Sequence, residues 1–334
     1  ADVMGKIDFD KVGKNIVSEL NSIFPAFISN ENEDIQDSSY FDYRFQIKDI
    51  NPILEVVYPP LNISKNTFID GRYTGKSNEI SMNIDSKSIA YDSVRVEGIS
   101  VTQDIYNNEL LAFLKADRVY RNDSLVFQEV HFTNLTANGF MDSQFIIHDP
   151  KDNRSNLEFN THLFDLGGFD IDVLPSYLSL NGHKWELKNR AHINFTDDCF
   201  FIEDLKFEYE NQYILAEGQL SEHPYDRLYI DVMNVDLSDV GLYISQDFDL
   251  AGRVNAAGSI STPISGLKFN GDAVFEDLYV NKTEVGIRYL PPKNSALINP
   301  AIKKTIEVVA TAKNNLRISS NEVCLISPLW ILKR

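Results

Sequence analysis

The sequence predicts a mostly β chain: an elongated antiparallel sheet with one apolar face and one short N-terminal helix. Three observations lead there. Apolar and polar residues alternate with period two through most of the 334 residues, the pattern of strands with one dry and one wet side. Turn-forming pairs (Asn122-Asp123, Asn138-Gly139, Asp149-Pro150, Asn181-Gly182 and His223-Pro224) separate these runs, which recur roughly every 10–15 residues. No second strong helical stripe occurs before the C-terminal end, which disfavours α/β folds and their crossover helices. The 21 Phe and 15 Tyr add to this, since both favour strands.

The helix comes first. In residues 10–27, Val12, Ile16, Leu20, Ile23, Phe24 and Phe27 recur at spacings of three and four, an apolar stripe. Asp10 stands in a capping position, and Pro25 should kink or end the helix. Its polar side mixes Lys11 and Lys14 with Asp10 and Glu19. The stripe therefore reads as a cover for part of the sheet rather than a membrane-surface helix. Residues 29–39, SNENEDIQDSS, form a polar acidic connection.

Strands follow. Tyr43, Phe45 and Ile47 alternate with Arg44, Gln46 and Lys48, and Ile80, Met82 and Ile84 with Glu79, Ser81 and Asn83. Val94 and Val96 alternate with Arg95 and Glu97, and at Gly98 the phase switches to Ile99 and Val101, the mark of a bulge or bend. Later runs include Ile193 and Phe195, then Leu205, Phe207 and Tyr209, then Ile214, Ala216 and Leu220, then Leu228, Ile230 and Val232. A short helical turn fits residues 239–245, and residues 300–312 suit either helix or strand. The clearest pair of strands lies in residues 249–278, DLAGRVNAAGSISTPISGLKFNGDAVFEDL. Val254, Ala256, Gly258 and Ile260 alternate in the first, Phe269, Gly271, Ala273 and Phe275 in the second, with Thr262-Pro263 and Ser265-Gly266 as the turn.

That glycine-spaced strand, Thr-Pro turn and Phe-x-Gly-x-Ala-x-Phe resemble the repeats of the TamB/AsmA-like family in its Bacteroidetes-type form. GKIDFDKVGKNIVSELNSIFPAF, LSLNGHKWEL around Trp185 and LAEGQLSEHPYDRLYIDVMNVDLSDV after Gln212 resemble the same family, in order, over residues 1–290. The resemblance implies a sheet folded into a U-shaped hydrophobic groove, a β-taco, with a short helix inside or across it. It divides the chain into an N-terminal helical segment (1–30), groove repeats (31–290) and an uncertain, truncated or altered end (291–334). It also implies that phospholipid acyl chains travel along the groove between inner and outer membrane, supporting outer-membrane assembly. The implied partner is an outer-membrane barrel protein of the TamA/BamA type, and the implied location is the periplasm. One alternate set per strand is expected to line the groove: Phe45, Ile47, Ile84, Val94, Phe207, Ile230, Val254 and Phe275. No signal peptide and no apolar run near the ~20 residues of a spanning helix occur. The expectation is a piece of a longer chain, anchored in the inner membrane through a segment absent from it.

Composition excludes more than it assigns. The formal net charge of −18 argues against nucleic acid, whose binding needs basic patches. It argues equally against purely electrostatic docking on anionic membrane. Two cysteines, Cys199 and Cys324, are too few and too far apart for a disulfide framework or a metal site. The stretch DGRYTGKS at residues 70–77 misses the P-loop: the required glycine position is Asp70, and a strand rather than a helix follows. No two of the six histidines lie three to five apart, so no local zinc pair forms. Acidic pairs such as Asp197-Asp198 and Asp170/Asp172 read as polar turns rather than glycosidase carboxylates. Trp185 reads as a packing residue, with lipid contact as the alternative. No catalytic residue, metal or cofactor is expected. Two other readings stay open: a periplasmic or extracellular β-sandwich that binds or scaffolds, and a glycoside hydrolase resting on carboxylates alone.

Overall fold

The computed structural model describes residues 1–25, 37–164, 168–196, 199–244, 248–261, 268–282, 287–289, 318–319 and 322–323. The chain is mostly β and antiparallel, with three short helices among the described residues. It divides into two compact units, Ala1–Ser179 and Leu180–Arg334. The expected turn at 262–267, Asp197-Asp198, residues 300–312 and most of the 29–39 connection lie outside the described residues.

The first unit contains β1 (Asp2–Lys6), α1 (Phe9–Ile23), β2 (Tyr40–Ile47), α2 (Asn51–Val57), β3 (Leu61–Ile63), β4 (Thr67–Thr74) and β5 (Glu79–Tyr91). There follow β6 (Val94–Tyr106), β7 (Glu109–Ala116), β8 (Arg118–Arg121), β9 (Ser124–Phe127), β10 (Glu129–Ala137), β11 (Phe140–His148), β12 (Arg154–Phe164), β13 (Gly168–Val173) and β14 (Ser176–Leu180). The long strands form a meander in chain order: β1 pairs β2, then β4, β5, β6, β7, β10, β11, β12 and β13 follow side by side. The short strands continue a neighbour across a break. β3 pairs the far half of β5, β8 that of β6, and β14 meets β12 at Asn156. The break at Asp117 sits beside Gly98 of β6. The Asp117 amide donates to the Glu97 carbonyl at 2.9 Å, and the Asp117 carboxylate fills the space a Cβ on Gly98 (φ +64°) would need. The phase switch in the sequence falls at this break, where Gly98 takes a positive φ while the register on either side stays unshifted.

Four tight turns put both central residues at positive φ: Asn107-Asn108 (53°, 63°), Asn122-Asp123 (48°, 62°), Asn138-Gly139 (50°, 78°) and Asn181-Gly182 (52°, 88°). That geometry matches the right-handed twist of the flanking strands. The last three were expected; Asn107-Asn108 was not.

The helix α1 ends at Ile23, ahead of Pro25, as the proline dictates. Its N-cap is Asp8, not Asp10, and Asp8 caps with no side-chain bond. Asp10 lies in the first turn, where a carboxylate favours the helix dipole. Helix α2 was not expected at all. It spans seven residues, none buried. Gly71 of the rejected P-loop lies within β4, and the turn falls at Gly75 beyond it; β5 follows rather than a helix, as expected.

The second unit contains β15 (His183–Leu187), β16 (Ala191–Phe195), β17 (Cys199–Tyr209), β18 (Gln212–Ser221), β19 (Leu228–Asp236), α3 (Leu237–Ile244), β20 (Phe248–Ser261), β21 (Lys268–Lys282) and β22 (Ile287–Tyr289). From β16 to β22 the strands again pair in chain order, and β15 pairs the far end of β17. Helix α3 extends the short helical turn expected at residues 239–245.

Among the described residues, twelve hydrophobic side chains are buried against fifteen polar or charged ones. A sealed hydrophobic centre would reverse that ratio. No helix among the described residues is long and apolar enough to cross a membrane.

Candidate acyl-chain-binding sheet faces

Residues directly opposite in an antiparallel ladder lie on the same side of the sheet. The register therefore assembles each face strand by strand. In the first unit, Phe45 pairs Ile69, then Ile84, Val101, Leu114, Phe132, Phe145 and Leu157 follow in one transverse row. Eight strands contribute eight apolar side chains without a gap, a band of roughly 34 Å at ~4.8 Å per strand. None of the eight is buried; seven are half-buried and Phe45 is exposed. Aromatic rings join along the band: Phe132 and Phe145 centroids lie 4.4 Å apart, Tyr43 and Phe45 5.7 Å. The opposite side carries rows such as Arg44–Asp70–Asn83–Thr102 and Asp42–Arg72–Ser81–Asp104, which suit water.

Helix α1 covers one end of this apolar side. Ile23 receives a bond from the Gly139 amide at 2.8 Å. Asn15 donates to the Tyr73 hydroxyl at 2.9 Å, and Tyr73 donates to Asp37 at 2.6 Å. Tyr73 shares the apolar side, paired with Phe41 and Ile80. Burial pushes the Tyr73 phenol up, and its bond to Asp37 adds to this. Burial also raises Asp37, but the bonds from Ser39 and Tyr73 outweigh it and hold the carboxyl below its usual range. The residues α1 buries are thus largely polar: Asn15, Glu19 and Asn21 beside Ile23.

Glu19 is 5% exposed, and its Oε2 has no partner. Desolvation raises its pKa above the ordinary 4.5. The folded state then holds the proton more tightly than the unfolded chain. Glu19 weakens folding increasingly as pH rises from 4.5, and fully above its raised value. Glu19→Gln should therefore be the more stable protein by about 1–2 kcal/mol at pH 8, with the gap closing toward pH 4. Urea unfolding at the two pH values measures this; equal stabilities at pH 8 would refute it.

In the second unit the row is Leu187, Phe207, Ile214, Val232, Ala256 and Ala273. Two residues along, Ala216 pairs Ile230, which pairs Gly258. Past the β19 bulge, Val235 pairs Val254, which pairs Phe275. Helix α3 covers this end: Leu237 packs with Val240, Leu250, Val254 and Phe275. His183 Nδ1 lies 2.8 Å from Asp239 Oδ2. His183 stacks on Tyr209 at 4.6 Å, and Trp185, fully buried, lies 6.1 Å from the same ring. Trp185 packs, as expected.

The register brings Phe45, Ile47 and Ile84 onto one side of the first unit, and Phe207, Ile230, Val254 and Phe275 onto one side of the second. Val94 is set apart. It pairs Tyr91 at the far end of β6, and the β5–β6 register runs unshifted from Ile84–Val101 to that pair. Val94 lies beyond the Gly98 break, where the alternation that places Val101 is interrupted. The sequence reading left Ile69, Val101, Leu114, Phe132, Phe145 and Leu157 out of the lining, and these complete the row; their own alternation was the available signal. Among the described residues no cluster of three potential metal ligands forms. Comparison with protein-family models, curated proteins and solved structures finds no match.

Proposed function

We propose that the apolar sides of these two units hold phospholipid acyl chains, and that the chain is part of a TamB-like bridge. In this reading it works in the periplasm, moves phospholipid between inner and outer membrane, and joins an outer-membrane barrel protein of the TamA/BamA type. The observation that carries it is the unbroken apolar row from Phe45 to Leu157, none of whose members is buried. A closed sandwich would pack a second sheet at ~10 Å and bury such a row. A 16-carbon chain needs an escort offsetting roughly 12 kcal/mol of hydration cost. A continuous apolar band supplies that without specific contacts, so a tail would slide across it with little change in energy. The test is native mass spectrometry after mild purification. Bound phospholipid is the expected result, and a chain consistently free of lipid would overturn the proposal.

A further inference from the structure

Helix α2 stands at the end of the first unit away from α1. It is tied to β3 by its first residue alone: Asn51 Nδ2 donates to the Ile63 carbonyl at 2.9 Å, and the Ile63 amide donates to Asn51 Oδ1 at 3.0 Å. Leu54 is half-buried, while three other apolar side chains of the helix point outward. Ile53 is 61% exposed, Val56 82% and Val57 73%. Burial in the fold therefore does not account for these side chains. Beside them Tyr58 and Tyr91 stack at 6.1 Å, with their hydroxyls 3.2 Å apart, and Val94 adds an exposed apolar neighbour. Such a ring pair, apolar in body and polar at the rim, suits a membrane–water boundary.

Charge singles out the same end. Residues 47–66, 86–97 and 117–128, which build it, hold six Lys and Arg against six Asp and Glu, so this end is neutral, while the whole chain carries −18. Lys48, Lys87 and Arg121 are exposed there, with no carboxylate partner among the described residues. A strongly acidic protein is repelled from an anionic bilayer; this tip is the part of the unit where that repulsion lapses. We infer that the α2 tip docks on an anionic phospholipid bilayer. Ile53, Val56 and Val57 enter the headgroup–acyl boundary, the two tyrosines sit at headgroup level, and the three cations face phosphates. This surface is separate from the acyl-chain-binding row and does not depend on it.

The experiment is flotation of the 334-residue chain with vesicles of phosphatidylethanolamine and phosphatidylglycerol. The wild type should float, less so at high salt. Val56→Asp with Val57→Asp should lower the partition coefficient by at least about tenfold, and Lys48→Glu with Lys87→Glu should remove the salt-sensitive part. Both changes lie on exposed positions, and an unchanged melting curve and an unchanged lipid load by mass spectrometry separate this surface from the row. A wild type that stays unbound overturns the inference, as does a valine variant that floats equally well. So does a wild-type dimer, seen by sedimentation, that the valine variant dissolves, since the tip would then serve a second copy of the chain.

Discussion

Leu114→Glu is expected to strip bound phospholipid from the protein, while Phe113→Glu leaves it in place. The two residues are neighbours on β7 and face opposite ways. Leu114 sits mid-row between Val101 and Phe132, half-buried. Phe113 pairs Thr102 and Thr133 on the polar side and is 45% exposed. A carboxylate placed in hydrocarbon costs about 3 kcal/mol, on the order of a hundredfold in affinity. It also interrupts the band where a sliding tail would have to cross it. The measurement is the lipid-to-protein ratio by native mass spectrometry, with melting curves to establish that both variants fold. Equal lipid loads in the two variants would remove the row from the proposed function; loss in both would show a general effect of charge, not one of face.

What was legible in the sequence follows from the range of the forces involved. Period-two alternation is local, so the strands Tyr43–Ile47 and Ile80–Ile84 could be placed, and Pro25 fixed where α1 stops. Gly98 announced the break in β6, because a phase switch at glycine marks a local change of backbone. Register is another matter. Each strand's two faces are visible, but which residue lies opposite which depends on turn length and bulges. That is why Phe45, Ile69 and Ile84 could not be joined in advance, and why the side of Val94, beyond the Gly98 break, could not be tied to theirs. Helix α2 was invisible for a different reason: NPILEVV is too short for a helical period, and its Val-Val end favours strand. The capping residue of α1 was missed by two positions because Asp8 and Asp10 are both plausible caps, and the Asp8 amide is held by Ser39, 31 residues away.

The His183–Asp239 contact bridges 56 residues and has no local signature. Its removal should have the largest effect on stability in the second unit. The Asp239 side chain is fully buried and its Oδ1 has no partner, so the bond from His183 is what offsets the desolvation of the carboxyl. The start of α3 adds a smaller favourable field, since Asp239 lies in the first turn. His183→Ala leaves that carboxyl buried with nothing donated to Oδ2, at a cost of about 3 kcal/mol. It also uncovers one face of Tyr209, which lies against Trp185. Adding Asp239→Ala to the His183 variant should recover part of the loss, because the orphaned charge goes with it, and a double-mutant cycle isolates the coupling. Urea unfolding followed by tryptophan fluorescence reports the transition through Trp185. If His183→Ala unfolds within ~0.5 kcal/mol of the wild type, the pair does not anchor α3 and the cover over Val254 and Phe275 is held by Leu237 alone.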